Sequence, residues 1–429
     1  MRQNVWIWNH YATNMFFDQA GRHYWFAENL IKEGYKPTIF CASTNHFSDN
    51  HIDTKGSRYS LDSVNNIPFI FVNTPEYKGN GKKRVLNMIS FYKGLIKTAK
   101  EFAELNGKPD VILASSVHPL TLVAGIKIAK KFGVPCICEV RDLWPETLIA
   151  YNKLNKDSLI TKILCFGEKW IYEKADKLIF TMEGGKDYII DKRWNIEQGG
   201  SIDIDKVHHI NNGVNLEVFN YNKEHYKIAD EDLEKKDTFK VVYAGSIRLA
   251  NNVKSIVDTA LEIKKLGYKD IEFIIYGDGN DKVKLERYCI DNNVDNVVFK
   301  GFVNKKYIPY ILSMSDLNII HFEQNKIKKY GASLNKMFEY FASGKPILSD
   351  CEFGYDLINK YKAGYSRDLK NPIDFSRKII DIYNLNEDEY KELCNGSIRA
   401  SSEYDYKLLS KHMISVLESR VLINRILPN

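Results

Sequence analysis

A chain of 429 residues exceeds what one ordinary core holds, so two domains of about 200 residues each are expected. Its 44% hydrophobic and 27% charged residues are the balance of a folded globular protein, which excludes a disordered or fibrous chain. A net charge of +6 is too mild to ask for a nucleic-acid partner, no run of 18 apolar residues reads as a membrane span, and seven scattered cysteines point to buried reduced thiols rather than a disulfide frame or a metal site.

Met1-Arg-Gln-Asn-Val-Trp-Ile-Trp8 runs straight into a strand pattern without an apolar h-region or a small-residue cleavage site, so no signal peptide is expected and the protein reads as cytoplasmic. From Asn4 the pattern predicts a strand to Trp8, a loop through Gln19-Ala-Gly21 and a helix from Arg22 to Lys32. A strand at 37–43, a polar loop to Asn66, a strand at 67–72, a long helix near 83–105, a strand at 111–114, a helix at 120–132 and a strand at 135–140 follow. A helix at 159–175, a strand at 178–181 and a strand from Val207 into the turn at Asn211-Asn-Gly213 close the first half. The alternation restarts with strands at 240–243, 271–276, 297–299, 317–320 and 346–348 and helices at 253–266, 283–292 and 307–314. Strands alternating with helices give α/β halves, each a parallel sheet covered on both faces, and their carboxyl ends would face one cleft.

One stretch organises the second half. In Tyr330-Gly-Ala-Ser-Leu-Asn-Lys-Met-Phe-Glu-Tyr-Phe-Ala-Ser-Gly-Lys-Pro346, Leu334, Met337, Phe338, Phe341 and Ala342 have the spacing of a buried helical stripe. Ser333 stands where an N-cap belongs, Gly344 and Pro346 where the chain leaves, and Asn335, Lys336, Glu339 and Ser343 fall on the wet face. First-turn N–H groups beside Gly331 and Ala332 would accept a diphosphate, Lys336 would add charge and Glu339 could bind a ribose diol. An amphipathic surface helix with a Lys/Glu pair fits the same window.

Glu139-Val-Arg-Asp-Leu-Trp-Pro-Glu146, Ile210-Asn-Asn-Gly-Val-Asn215, Tyr243-Ala-Gly-Ser246, Tyr276-Gly-Asp-Gly279, Gly301-Phe-Val303 and the 333–346 segment occur in the order seen in family-4 glycosyltransferases. The chain resembles a GT-B enzyme over nearly its whole length. Together, Tyr77–Met88 and the Arg-Asp-Leu-Trp-Pro segment resemble bacterial fucosamine-transferase-like enzymes of O-antigen and capsule assembly. The resemblance implies two Rossmann-like domains, 1–213 for the acceptor and 214–402 for the donor, with residues 403–429 forming a helix that returns to the first. It implies a donor site in which the backbone at Phe302 and Val303 faces the base, Glu339 the ribose, and Ser333, Asn335 and Lys336 the diphosphate. Gly21, Gly245 and Gly277 would let backbone approach phosphate.

The departures from that pattern fall around the sugar. Many members carry a first Glu eight residues before the one matched by Glu339, and here that position is Gly331. Ser246 and Asn251 replace a frequent Arg and Lys, with Arg248 as a substitute clamp, and Arg141 beside Asp142 replaces a frequent acceptor-loop His. Arg141, Asp142, His118 and Lys336 are the catalytic candidates, although His118 also reads as a satisfied loop histidine. Asp203-Ile-Asp205 has a DxD spacing but reads as turn chemistry, His208-His209 as strand residues, and Gly277-Asp-Gly279 lacks the third glycine of a dinucleotide motif, position 282 being Lys.

Between Lys78 and Lys100 lie seven basic residues and no acidic one. Val85, Met88, Ile89, Tyr92, Leu95, Ile96 and Ala99 form a predicted buried stripe that leaves Lys93, Lys97 and Lys100 on the wet face, either simply solvated or in contact with an anionic membrane surface. The resulting expectation is a retaining transfer, without metal or other cofactor, from a nucleotide diphosphate sugar, UDP first, to a polyprenyl-diphosphate-linked saccharide at the inner face of the cytoplasmic membrane. A nucleotide-sugar epimerase of the same architecture and a non-catalytic partner subunit are the alternatives.

Overall fold

The computed structural model describes residues 3–419 except positions 47, 80, 117, 249, 250, 323 and 370. The chain divides into two units, one formed by residues up to Asn211 together with those from Tyr406 on, the other by Asn212–Asp405.

The first unit is built on β1 (Asn4–Trp8), β2 (Lys36–Ala42), β3 (Tyr59–Val64), β4 (Ile67–Val72), β5 (Val111–Ser115), β6 (Cys136–Val140), β7 (Lys177–Phe180) and β8 (Val207–His209). They form one sheet in the order β3-β4-β2-β1-β5-β6-β7-β8. Trp6, Trp8, Phe40, Phe69 and Phe71 are wholly buried, as parallel strands covered on both faces require. The sheet changes direction at β1, which pairs with β2 on one side and β5 on the other.

β3 corrects the predicted polar loop. It is an antiparallel edge strand joined to β4 through Asn65 and Asn66, at φ 48° and 62°. Two left-handed residues in succession are what a tight hairpin needs, and asparagine tolerates them. The polar outward face of Tyr-Ser-Leu-Asp-Ser-Val hid the strand.

The long basic helix, Lys82–Asn106, forms where expected, with Leu95 and Ala99 of the predicted stripe buried and Met88, Tyr92 and Ile96 half-buried, but its inward side is rotated from the one expected. Asn87, Phe91, Leu95, Thr98, Ala99 and Phe102 face the protein, whereas Val85, Leu86 and Ile89 are exposed. The hydrophobic-stripe reading fails at Val85 and Ile89, and two polar residues, Asn87 and Thr98, lie inward instead. Asn87 donates to Thr44 Oγ1 at 3.0 Å and to the Pro75 carbonyl at 2.7 Å, which makes its burial tolerable.

The final described helix, Tyr406–Glu418, packs on the Arg22–Lys32 helix, with Tyr406 edge-on to Phe26 at 5.5 Å. Lys177 Nζ donates to the Ser419 carbonyl at 2.5 Å and to the Val416 carbonyl, capping that helix end with a cation. Residues 420–429 of the expected helix lie outside the described residues.

The second unit carries β9 (Phe239–Ala244), β10 (Ile271–Tyr276), β11 (Val297–Gly301), β12 (Leu317–Ile320), β13 (Ile347–Ser349) and β14 (Gly364–Ser366), all parallel, in the order β11-β10-β9-β12-β13-β14. Val241, Tyr243, Phe273, Ile275, Ile319 and Leu348 build its core with the helices Val253–Lys265 and Pro372–Tyr383. Its direction changes at β9, between β10 and β12. Ligands of open α/β sheets bind outside the carboxyl ends at such points.

Candidate functional site

At the carboxyl edge of the second sheet three loops are laced by backbone. Gly245 N–H donates to the Tyr276 carbonyl at 2.9 Å, Gly277 N–H to Gly301 at 2.8 Å, and Ile247 N–H to Asp278 at 2.9 Å. A Cβ on Gly277 would fall 1.8 Å from the Gly245 carbonyl oxygen, so this glycine is required for loop to meet loop.

The helix Asn335–Ala342 arrives beside these loops. Tyr340 fixes it there: the Ala244 N–H donates to its hydroxyl at 3.0 Å, and the hydroxyl donates to the Ala244 carbonyl at 3.3 Å. The helix starts one residue later than Ser333 as N-cap implied. Its N-cap is Leu334, and Ser333 Oγ instead accepts the Asn212 N–H at 2.9 Å while Asn212 Nδ2 donates to the Ser333 carbonyl. Ser333 is thus tied to the Ile210–Asn215 motif before it can cap. Leu334, assigned to the buried stripe, is only half-buried, and Tyr340, outside that stripe, is fully buried.

Lys336 was placed on a wet face and is found elsewhere. Its Nζ sits 4.5 Å from the Tyr243 ring centroid and 5.5 Å from that of Phe322, with the Tyr243 hydroxyl at 3.5 Å. Desolvation lowers its pKa to about 8 against the pull of Glu339. Among the described residues no carboxylate lies within ion-pair distance of it. A Cβ on Gly245 would come 2.7 Å from Nζ, so the glycine leaves room for the ammonium. Glu339 pairs with exposed Lys305 at 3.1 Å. Asn335 and Arg248 are exposed, and Phe302 presents 78% of its surface to solvent next to half-buried Val303. Ser246 accepts from Asn251 through its carbonyl and its hydroxyl, both at 2.7 Å, which stiffens the loop after β9.

Gly331 lies at φ 91°, a region that residues with a Cβ avoid. The backbone here disfavours the carboxylate that many relatives of the pattern carry. Beyond Phe322 a cavity of about 320 Å³ is lined by His321, Asp350, Asn252 and Asp368. Buried His321 bonds Asp350 through Nδ1, and its Nε2 has no partner among the described residues.

The carboxyl edge of the first sheet is organised differently. Buried Glu139 accepts from Arg22 Nε at 2.8 Å and Ser115 Oγ at 2.7 Å, and bonds His23 Nε2 at 2.9 Å. Arg22 also donates to the carbonyls of Asn211 and Ile210. Burial opposes ionisation of Glu139, but Arg22 and His23 outweigh it and hold the carboxyl well below its usual range. Gly21, at φ 114°, is the N-cap of the helix that carries Arg22 and His23. His118 is buried at the N-cap of Pro119–Phe132, with His10 Nδ1 2.6 Å from its Nε2. Desolvation, then the Arg84 charge, depresses its pKa to about 3, so the imidazole is neutral at pH 7. Arg141 is half-buried and its N–H donates to Ser116 Oγ at 3.0 Å. Asp142 reaches solvent, and desolvation raises its carboxyl pKa against the pull of Arg141.

Tyr340, Tyr243, Asn212, Arg22, His23 and Glu139 escaped the sequence reading. Glu139 heads a quoted motif and Arg22-His23 follows Gly21 directly, so their signal was present; Tyr340 looked like one more aromatic.

No group of three His, Cys, Asp or Glu side chains is gathered for a metal among the described residues. Asp203 instead caps a short turn by accepting the Asp205 N–H at 2.9 Å.

The family model "Glycosyltransferase Family 4" matches residues 24–218 and "Glycosyl transferases group 1" matches 226–397. A Bacillus subtilis glycosyltransferase named for teichuronic acid biosynthesis, TuaH, is 24% identical over 269 residues, 60% of this chain and 61% of that protein. The alpha-D-kanosaminyltransferase of Streptomyces kanamyceticus is 30% identical over 81 residues, 19% of this chain and 21% of its own. The chain therefore spans about three fifths or less of the length of these relatives. Among solved structures, sucrose-phosphate synthase from Thermosynechococcus elongatus superposes with a TM-score of 0.70 at 15% identity, covering 97% of this chain and 98% of that one. Anabaena HepE, in complex with UDP and glucose, gives 0.62 at 13% identity, covering 98% and 100%. These likenesses establish the fold. Two family models laid consecutively over two units of GT-B type agree with it, and the chain belongs to the family-4 glycosyltransferases.

Proposed function

We propose that this chain transfers a sugar from a nucleotide diphosphate donor, UDP in the first instance, to a lipid-linked saccharide of the polyprenyl-diphosphate type in surface-polysaccharide assembly. The observation that carries the donor half is Lys336. A cation held against two rings, with no carboxylate within ion-pair distance among the described residues and a pKa lowered to about 8, gains most from an anion placed at the loop it faces. The first N–H groups of the donor helix point the same way as any helix start, and exposed Arg248 stands on the same loop system.

In this reading charge developing on the leaving diphosphate is met by Lys336, Arg248 and the helix start, so the chemistry requires no metal. Phe302 and Val303 border the base, and Glu339 binds the ribose. The cavity beside Phe322, where His321 Nε2 has no partner among the described residues, has room for the sugar. Arg141 and Asp142 orient acceptor or sugar. Retention of configuration, the acceptor class and a place at the inner membrane face follow the resemblance to fucosamine-transferase-like enzymes. HepE, a neighbour in fold whose structure holds UDP and glucose, supports the donor class.

The test is a panel of nucleotide sugars with and without a polyprenyl-diphosphate saccharide, each with and without EDTA. Transfer to lipid that EDTA leaves intact is expected. Sugar isomerised or released without acceptor would favour the epimerase, a requirement for Mn²⁺ would overturn the charge argument, and no turnover with any donor would leave a binding subunit.

A further inference from the structure

Two helices of the first unit carry large apolar residues that nothing in the described structure covers. In Leu159–Lys174 they are Leu159, Ile160, Ile163 and Phe166, of which Leu159 exposes 72% and Phe166 73%. In the basic helix they are Val85, Leu86 and Ile89. Both sets begin with the spacing i, i+1, i+4, an arc of about 100° on each helix. The opposite side of the first helix is the packed one, with Thr161, Glu168, Ile171 and Tyr172 buried.

The topology puts the two arcs on one surface. The helices Lys82–Asn106, Pro119–Phe132 and Leu159–Lys174 connect β4 to β5, β5 to β6 and β6 to β7, all stepping the same way across the sheet. Right-handed crossovers then place all three on one face, and the middle helix packs against both others. Each helix starts at the carboxyl edge of the sheet, and both apolar arcs occupy the first two turns or so. The arcs therefore share a face and an edge.

Charge selects what covers them. Exposed Lys82, Lys83 and Lys93 accompany the first arc and exposed Lys153, Lys156 and Lys162 the second, while 78–100 contains no acidic residue and 151–167 only Asp157. A second copy of the chain meeting this surface about a two-fold axis would set lysine against lysine. An anionic bilayer complements both features: it takes the apolar tips into the headgroup boundary and the lysines at its charged surface. No described helix is long and apolar enough to cross a membrane, so contact would be in the plane of the surface. We infer that the first two turns of Lys82–Asn106 and of Leu159–Lys174 form a docking surface for an anionic lipid bilayer, with Leu159, Ile160, Ile163 and Phe166 inserted. This sharpens the lipid-linked acceptor reading, which it supports, and moves the contact away from Lys97 and Lys100 toward the apolar helix starts.

The test is co-sedimentation of the full chain with vesicles of phosphatidylcholine, with and without phosphatidylglycerol. Wild type should bind the anionic vesicles and keep part of that binding in high salt. Ile163→Glu with Phe166→Glu, both at exposed positions, should weaken it by about tenfold or more with unchanged melting and unchanged UDP affinity. Lys93→Glu, Lys97→Glu and Lys100→Glu together should weaken it less. Absence of wild-type binding, binding unaffected by the Ile163/Phe166 changes, or a dimer that those changes disperse would each overturn the proposal. Loss of UDP affinity in wild type would instead sink the donor reading and leave this one standing.

Discussion

The carboxyl edges of the two sheets handle buried charge in opposite ways. In the first unit Glu139 uses both oxygens, on Arg22, His23 and Ser115, and Arg22 spends its remaining N–H groups on the carbonyls of Ile210 and Asn211. In the second unit Lys336 has ring faces and one hydroxyl around its ammonium. A network closed on itself fixes structure, because every member is already satisfied. A half-buried cation left without an anion is costly to the fold and useful to a ligand. By that criterion the first edge is scaffold around the helix that begins at Gly21, and the second is the edge that the proposed donor reading needs.

The largest effect expected from this contrast is on stability. Glu139→Gln keeps the shape but leaves Arg22 buried without its counter-charge, which should cost about 3–5 kcal/mol in denaturant unfolding. Because the Glu139 carboxyl is held well below its usual range, its contribution is fully present above the unfolded pKa of about 4.3 and is lost only as pH falls through the lower folded value. Glu139→Gln should therefore be less stable than wild type at pH 7 and converge on it in acid. Equal stability at pH 7 would make the network ornamental.

Lys336→Ala should do the reverse. Melting should stay level or rise, while UDP affinity falls about ten- to hundredfold, the worth of a charge-assisted contact of about 1.5–3 kcal/mol, and uridine affinity holds. Calorimetric titration of both ligands decides it. Equal UDP affinity in variant and wild type would leave Lys336 a packing residue over Tyr243.

What the sequence disclosed follows from the same contrast. Periodicity located most strands and long helices because parallel strands and core-facing stripes need apolar runs, and the motif Ser333–Pro346 marked the helix Asn335–Ala342. Periodicity could not show which side of Lys82–Asn106 is inward, since Asn87 and Thr98 are buried by tertiary hydrogen bonds and by packing. Nor could it show that Lys336 lies against Tyr243, 93 residues earlier in the chain, or that Ser333 is claimed by Asn212. Edge strand β3 was illegible because its pattern is polar on the solvent side.

A smaller effect is the pH dependence of UDP binding. With a free pKa of about 8, Lys336 is increasingly neutral above pH 8, and an anion binds only after the proton returns. Preference for UDP over uridine should fall by only about twofold from pH 7 to 8 and then by up to about tenfold per pH unit. The terminal phosphate is ionised throughout, its pKa being about 6. In Lys336→Ala the decline should vanish; a decline that persists would assign it to another group.

The smallest and most discriminating change is Glu339→Gln. Its carboxylate meets Lys305 at 3.1 Å on the surface, where an ion pair is worth about 0–1 kcal/mol, so melting should barely move. If the carboxylate accepts ribose hydroxyls, UDP and uridine should weaken alike, by about three- to tenfold for one hydrogen bond of about 0.5–1.5 kcal/mol. Glu339 also raises the pKa of Lys336, so its loss could act through charge alone. In that case UDP would weaken, uridine would not, and the fall of UDP affinity with pH would shift to lower pH than in wild type. Lys305→Ala separates the surface pair from both, since freeing Glu339 from its partner should leave the uridine contact intact. A uridine affinity unchanged by Glu339→Gln would remove Glu339 from the ribose and leave the donor helix with Lys336 as its working residue.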